Sequence, residues 1–385
     1  MTKVIIQECK DYSLEAVVAK INSGIEKIGG WDKYVKEGST VLLKVNLIGP
    51  KPSDSAAVTH SEFVRALTRI LKARNCIVWI GDSSGGAIAG IAPTTQSLKV
   101  SGYEKVALEE EAVIKNFDKE GIFEVEPHPS SKNKEKMYLA KPLLDADVVI
   151  NVPKLKTHSA NIYTGAVKNV FGCIPGLRKA MYHKLAPEKE SFGEVLADIH
   201  QAAKFDLHIM DGITSMQGEG PTAGTVYNSN KILISTDPLA LDAVAIHMLG
   251  MNIDNIPVMD AAMRRNIGKY KLEEIEIDGD YSVIPKLKDF KLAKIYKSTK
   301  QKNNRAVIKV IDFFATRPII NNKKCKNCNM CVESCPMGAI DKATKKIDYD
   351  RCIECMCCHE LCMHKAVELK KNNVLADIIA RLSVR

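Results

Sequence analysis

Aromatic side chains make up only 6% of this chain, with two tryptophans, and no nucleic-acid-binding motif accompanies its net charge of +9. That scarcity argues against nucleic acid as a partner, since strand binders need stacking platforms. Long hydrophobic runs are also missing. No stretch of about 18 uninterrupted apolar residues is present to cross a bilayer as a helix. The opening residues, MTKVIIQECK, form a strand-like apolar run and lack the basic region and long apolar core of a secretory signal. Cysteine is nearly absent before residue 325, where only Cys9, Cys76 and Cys173 occur. A secreted disulfide framework is therefore not expected, and a reducing, cytoplasmic setting is.

What is present is uneven. Between Lys286 and Lys324 the chain carries twelve basic residues against Asp289 and Asp312, so the remainder is close to neutral. Such a segment is either a solvated linker or a docking surface for an acidic electron carrier or an anionic membrane face.

Nine of the twelve cysteines fall in the last 61 residues, in two runs of the same spacing. The first is Cys325, Cys328, Cys331 and Cys335, followed by Pro336. The second is Cys352, Cys355, Cys358 and Cys362, followed by Met363. C-x2-C-x2-C-x3-C used twice is the spacing of a bacterial two-cluster ferredoxin, in which each run lends its fourth cysteine to the other cluster. One [4Fe–4S] cluster is thus expected on Cys325, Cys328, Cys331 and Cys362, and a second on Cys352, Cys355, Cys358 and Cys335. Paired zinc knuckles suit the pattern less well, because zinc sites space their cysteine pairs further apart. Cys357 is left over, as a thiol beside the second cluster or an alternative ligand to it. Met363 in place of Pro336 is expected to loosen the second turn.

The first 284 residues read as an α/β domain, large and parallel or mixed. A basic linker with a short helix (Ala306–Phe314) spans 285–320, the ferredoxin module 321–370, and a terminal helix (Val374–Leu382) lies in 371–385. Strand-like runs at Thr40–Leu47, Cys76–Gly81, Asp147–Asn151, Phe205–Met210 and Lys231–Ser235 alternate with helical patterns at 13–28, up to Arg74, and Leu239–Leu249. Thr59 or Ser61 is expected to cap the second helix, and Asp237 the last. In parallel sheets ligands collect at the carboxyl ends of strands. Those ends carry Lys44 and Asn46, Asp82 before Ser83 and two glycines, Lys154, Lys156 and His158, and Asp211. Lys168 and Asn169 are expected near the start of a helix, where dipole and charge both favour an anion. An anionic small molecule is therefore the expected ligand. Lys44, Asn46, Lys154, Lys156 and Asn169 would bind it, and Lys168, His158 and His60 would move protons or charge beside Asp82 and Asp211.

Several segments together resemble a widespread iron–sulfur family whose α/β part is catalogued as a domain of unknown function and often precedes a two-cluster ferredoxin. They are Lys44-Val-Asn46, Val58-Thr-His60, Gly81-Asp82-Ser83, Asn151-Val-Pro-Lys154-Leu-Lys-Thr-His158, Tyr163-Thr-Gly-Ala-Val-Lys168-Asn169 and Asp211-Gly-Ile. The resemblance covers nearly the whole chain. A narrower one is to the cofactor segment of nickel-pincer lactate racemases, carried by His158, Tyr163-Thr-Gly165, Lys168 and Pro175-Gly176. It would make Lys168 the anchor of a pincer nucleotide and set His183 near a nickel-ligating position. Three extra residues before Pro175, and a missing second Gly and Arg, leave shared α/β ancestry as what this likeness implies, with nickel or a flavin unassigned. The expected function is passage of electrons through two [4Fe–4S] clusters to an anion-binding site in the α/β domain, with a ferredoxin or flavodoxin as donor. A carrier or scaffold without its own substrate, or a non-redox isomerase, are the alternatives.

Overall fold

The computed structural model describes residues 1–86, 93–176, 178–299 and 316–371. The helices expected at Ala306–Phe314 and Val374–Leu382 lie outside these residues. In chain order the strands of the first part are β1 (Thr2–Glu8), β2 (Thr40–Lys44), β3 (Ile77–Asp82), β4 (Val113–Asn116), β5 (Ile122–Val125), β6 (Met137–Ala140), β7 (Val148–Asn151), β8 (Lys154–His158), β9 (Ile162–Thr164), β10 (Leu207–Gln217), β11 (Thr225–Ser235) and β12 (Ile275–Gly279). Ten of them form one mixed sheet in the order β12-β1-β11-β10-β7-β2-β3-β4, with β8 and β9 attached beside β10. The run β7-β2-β3-β4 is parallel, and β11 is antiparallel to both its neighbours. A two-stranded hairpin of β5 and β6 stands apart.

Alternation along the central strands explains both faces of the sheet. Val41, Leu43, Val78 and Ile150 pack on one face against Val17, Ile21, Phe63 and Leu67 of the helices Leu14–Glu26 and Ser61–Lys72. Leu42, Val149, Met210 and Leu233 pack on the other face against Val195, Ile199 and Leu241, from Lys189–Ala202 and Pro238–Met248. With helices on both sides, the strands read as near-continuous apolar runs.

Three local expectations change. The Ser61–Lys72 helix is capped by His60, whose Nδ1 accepts from Glu62 N at 3.2 Å. Thr59 is otherwise used: its hydroxyl donates to Val152 O and accepts from Asn46 N, tying two strand ends together. Lys154–His158, expected to follow a strand, is itself a fully buried one. The helix expected to begin near Lys168 and Asn169 is one α-helical turn at Ala166–Asn169 after strand β9, continued by a 3-10 turn at Val170–Cys173.

The last part is built on β13 (Thr316–Ile320) paired antiparallel with β14 (Val367–Lys371). Between them two similar halves follow, each with a short helix, Met330–Glu333 and Cys357–Leu361. Asn327 and Asn329 in one half, and Glu354 and Met356 in the other, hold the left-handed conformation that bends the loop around its thiols. The fold is thus a large mixed α/β domain followed by a small ferredoxin-type domain. No helix among the described residues is long and apolar enough to cross a membrane.

Candidate functional site

Side-by-side pairing of β3, β2 and β7 brings Asp82, Lys44 and Asn151 to one edge of the sheet. Lys44 Nζ lies 3.0 Å from Asp82 Oδ1 with both side chains buried, and also donates to Val45 O and Asn169 O. Burial pushes the Asp82 carboxyl up, against the pull of Lys44 and Lys179. The backbone of Gly172 leans on this pair, and a methyl there would overlap Asp82 Oδ1 and Lys44 Nζ. Behind it runs a chain of amides: Asn46 donates to Asn169 at 2.7 Å, Asn169 to Asn151 at 2.7 Å, and Asn151 meets His208 at 3.1 Å. Lys156 Nζ donates to Asn46 Oδ1 at 2.6 Å and Ala57 O at 2.5 Å, with no carboxylate in ion-pair range among the described residues. Burial drives its ammonium well below the ordinary lysine range.

His60, Lys154 and Asp211 assemble elsewhere. Lys154 Nζ lies 2.7 Å from Asp211 Oδ2, and Tyr12 donates to Asp211 Oδ1 at 2.8 Å. The Tyr12 ring stacks on His60 at 3.7 Å, and His60 N donates to Asp211. This knot fixes the N-terminal segment to β10, and none of its members reaches the cavity described next.

A cavity of about 180 Å³ opens where the α/β domain meets the ferredoxin-type domain. From the α/β side Asn46, Asp82, Lys156, Lys168 and Asn169 line it, all residues singled out by the sequence. Lys179, Thr164 and Ser83 line it too. Lys179 Nζ donates to Ser83 Oγ at 2.5 Å and Ile174 O at 2.6 Å, and burial lowers its ammonium to about 8. From the other domain come Glu333, Ser334, Cys357, Glu360 and Leu361. Leu361 packs on Gly85 and Gly86, so the small residues after Asp82 receive a side chain of the neighbouring domain.

The one-turn helix at Ala166–Asn169 does not offer its N-terminus to a ligand. Asp242 fills that place, accepting from Ala166 N at 2.7 Å, Val167 N at 2.8 Å and Tyr163 OH at 2.9 Å. Asp237 caps its own helix as expected, accepting from Leu239 N and Ala240 N. Lys168 extends from this turn into the cavity and makes no hydrogen bond among the described residues. Among the described residues, Phe192 is the ring beneath its ammonium, at 5.9 Å.

His158 does not line the cavity, but it holds the cavity's far wall. Its Nδ1 accepts from Ala160 N and Asn161 N, so the neutral ring carries its proton on Nε2. Nε2 lies 3.1 Å from Glu360 Oε1, off the line of a hydrogen bond. Burial, with Lys168 nearby, lowers His158 to about 4. Burial pushes Glu360 up, yet His158, Lys168 and His183 outweigh it and hold the carboxyl at about 2. Thr222 Oγ1 donates to Glu360 O at 2.7 Å and completes the junction.

Two smaller cavities lie inside the ferredoxin-type domain. Cys325, Cys328, Cys331 and Cys362 ring one, together with Lys326 and Lys345. Cys335, Cys352, Cys355 and Cys358 ring the other, with Pro318, Ile340 and Ile353. Among the described residues no three Cys, His, Asp or Glu side chains close on a single-ion position. The thiols instead stand as two sets of four, the donor set an iron–sulfur cubane needs. Backbone amides serve both runs alike: Ala339 N points to Cys335 Sγ at 3.2 Å and Ala366 N to Cys362 Sγ at 3.1 Å. Met363 therefore does not loosen the second turn as expected. Cys357 belongs to the walls of both the second thiol cavity and the interdomain cavity.

Residues 41–247 match the family described as domain of unknown function (DUF362), and residues 317–363 match a 4Fe-4S dicluster domain. The thylakoid-associated protein sll1697 of Synechocystis sp. is 32% identical over 263 residues, 68% of this chain and 78% of that protein. Pyruvate synthase subunit PorD of Methanothermobacter marburgensis is 40% identical over 55 residues, 14% of this chain and 67% of that one. Among solved structures, lactate racemase apoprotein from Thermoanaerobacterium thermosaccharolyticum aligns at a TM-score of 0.37 and 13% identity, over 62% of this chain and 55% of its own. A Thermotoga maritima protein aligns at 0.38 and 11%, over 67% of this chain and 60% of its own. This chain thus spans less than two thirds of either solved structure.

Proposed function

We propose that this chain, which belongs to the DUF362 family and ends in a 4Fe–4S ferredoxin-type domain, is a redox protein that delivers electrons to an anionic small molecule held between its two domains. One observation carries the reading: Cys357 walls both a thiol-ringed cavity and the cavity that Lys168 enters. Two [4Fe–4S] clusters fit the two thiol sets, with Cys325, Cys328, Cys331 and Cys362 holding one and Cys352, Cys355, Cys358 and Cys335 the other. When bound, they supply one-electron transfer at potentials set by exposure and hydrogen bonds to sulfur.

The chain's own residues do the rest. Lys168 offers an ammonium free of hydrogen bonds to the anion, and Lys156 and Asn169 border it. Lys44, paired with Asp82, shapes the site and leaves the binding to others, and Lys154, paired with Asp211, stays in the separate knot. His158, neutral with a proton on Nε2, and Glu360 hold the second domain against the first. An acidic ferredoxin or flavodoxin is the proposed donor, since exposed cationic side chains attract such carriers. The buried, unpaired Cys9, Cys76 and Cys173 support a reducing, cytoplasmic setting.

The test is anaerobic. The reduced protein, with about eight irons and eight sulfides per chain, is mixed with small organic anions while cluster absorbance is followed. Re-oxidation that saturates with acceptor concentration supports a binding site. Strictly linear dependence on every acceptor, the mark of collision with an exposed cluster, would sink it.

A further inference from the structure

We propose that the interdomain cavity takes a small monocarboxylate with an apolar body, and not a phosphate ester or a nucleotide. This rests on the reading of the cavity as an anion site and names the class of anion.

Charge decides first. Of the lysines in the wall or directly behind it, Lys168 is the one whose ammonium makes no hydrogen bond among the described residues, and the carboxylate of Glu360 stands in the same wall. His158 and His183 are both held down to about 4 by burial and are neutral near pH 7. A site with one unengaged ammonium is poorly matched to a dianion, whose desolvation is the costlier of the two. A single negative charge, set against Lys168, is all it can compensate. The remaining ammonium groups are engaged: Lys44 by Asp82, Lys156 by Asn46 and Ala57 O, Lys179 by Ser83 and Ile174 O.

The donor inventory agrees. Thr164, only 4% exposed, lines the cavity, and its Oγ1 has no hydrogen-bond partner among the described residues. Buried hydroxyls are rarely left unsatisfied, so this one marks the place of a ligand atom. One hydroxyl and one ammonium match the two oxygens of a carboxylate and fall short of the three terminal oxygens of a phosphate. Arginine, the bidentate partner of phosphates, does not appear among the described lining residues.

Shape supplies the rest. Leu47, Ile48, Phe171, Ala180, Pro221 and Leu361 give the cavity a largely apolar wall. Its volume of about 180 Å³ is below the roughly 300–1,000 Å³ of sites for drug-sized ligands. A short aliphatic or single-ring body fills it. A nucleoside does not.

The experiment uses the full-length, cluster-loaded protein, oxidised and anaerobic, titrated calorimetrically with butyrate, benzoate, inorganic phosphate and AMP. Butyrate or benzoate should bind at least about tenfold more tightly than phosphate or AMP. Lys168→Gln and Thr164→Val should each weaken that binding about tenfold, and Thr164→Ser should retain it. Iron content and unfolding temperature report whether each variant is folded. Phosphate or AMP binding as tightly as the carboxylates, or Lys168→Gln binding them like the wild type, overturns the proposal. No electron moves in this titration. A carboxylate that carries a reducible group and binds, yet never re-oxidises the reduced protein, leaves this inference standing and removes the redox reading.

Discussion

Glu360 Oε1 of the ferredoxin-type domain lies 3.1 Å from His158 Nε2 of the α/β domain, with His158 fully buried and Glu360 largely so. Two residues on either side of Glu360 stand Cys358 and Cys362, both proposed as cluster ligands. The contact between the domains is therefore also the contact between the thiol-bearing loop and the cavity wall. Replacing Glu360 by Ala should cost about 2–3 kcal/mol, the range for losing a charged partner in a buried polar pair. Thermal unfolding of the cluster-loaded protein measures it. Glu360→Gln, which keeps the volume but not the charge, should lose less.

Gly172 tests the strand-end ion pair. A methyl at this position overlaps Asp82 Oδ1 and Lys44 Nζ, so Gly172→Ala must separate two buried charges. Breaking such a pair costs about 3–5 kcal/mol, and denaturant unfolding should show a loss of that order. An unchanged midpoint would mean that the pair is not a structural anchor.

Asp242 carries a pH dependence whose sign is fixed. Burial raises its carboxyl from 3.8 to about 7, although Val167 N, Ala166 N and Tyr163 OH all donate to it. A folded-state value above the unfolded one means that stability is fully present below about pH 4 and is lost as pH rises through about 7. The stability advantage of the wild type over Asp242→Asn should therefore narrow between about pH 5.5 and 8. Denaturant midpoints of the two proteins across that range check it.

The two thiol cavities are chemically unequal, and their potentials should be too. Lys326 and Lys345 line the one ringed by Cys325, Cys328, Cys331 and Cys362, whereas Pro318, Ile340 and Ile353 line the other. Cations stabilise the more negative reduced state, so the first should reduce at the higher potential. Lys345 Nζ donates to Asn329 Oδ1 at 2.8 Å and is held close to these thiols. Lys345→Gln should lower the higher of two potentials in EPR-monitored titrations and leave the other in place.

What could be read from the chain beforehand was local. Cysteine spacing is set by the geometry of one loop, and the apolar runs of β2, β3 and β7 announce a sheet covered on both faces. Asn46, Asp82, Lys156, Lys168 and Asn169 could be nominated because polar residues at strand ends and one adjoining turn are visible in sequence. What escaped was whatever depended on partners far along the chain. Asp242 fills the N-terminus of the Ala166–Asn169 turn from 76 residues away. That carboxylate removes the anion site expected there. His60, Lys154 and Asp211 looked like part of the same constellation until Tyr12, at the other end of the chain, drew them into a separate knot. Lys179 had no local signal, and Glu360 could have been noticed only as an acidic residue between two cluster cysteines.

The most direct measurement is the re-oxidation rate of the reduced, cluster-loaded protein by a bound small carboxylate that carries a reducible group, in the wild type and in Lys168→Ala. The variant should keep its iron and both potentials, yet lose saturation and fall at least about tenfold in rate at limiting acceptor. A variant that re-oxidises at the wild-type rate, with the same saturation, would contradict electron delivery to a site that Lys168 builds.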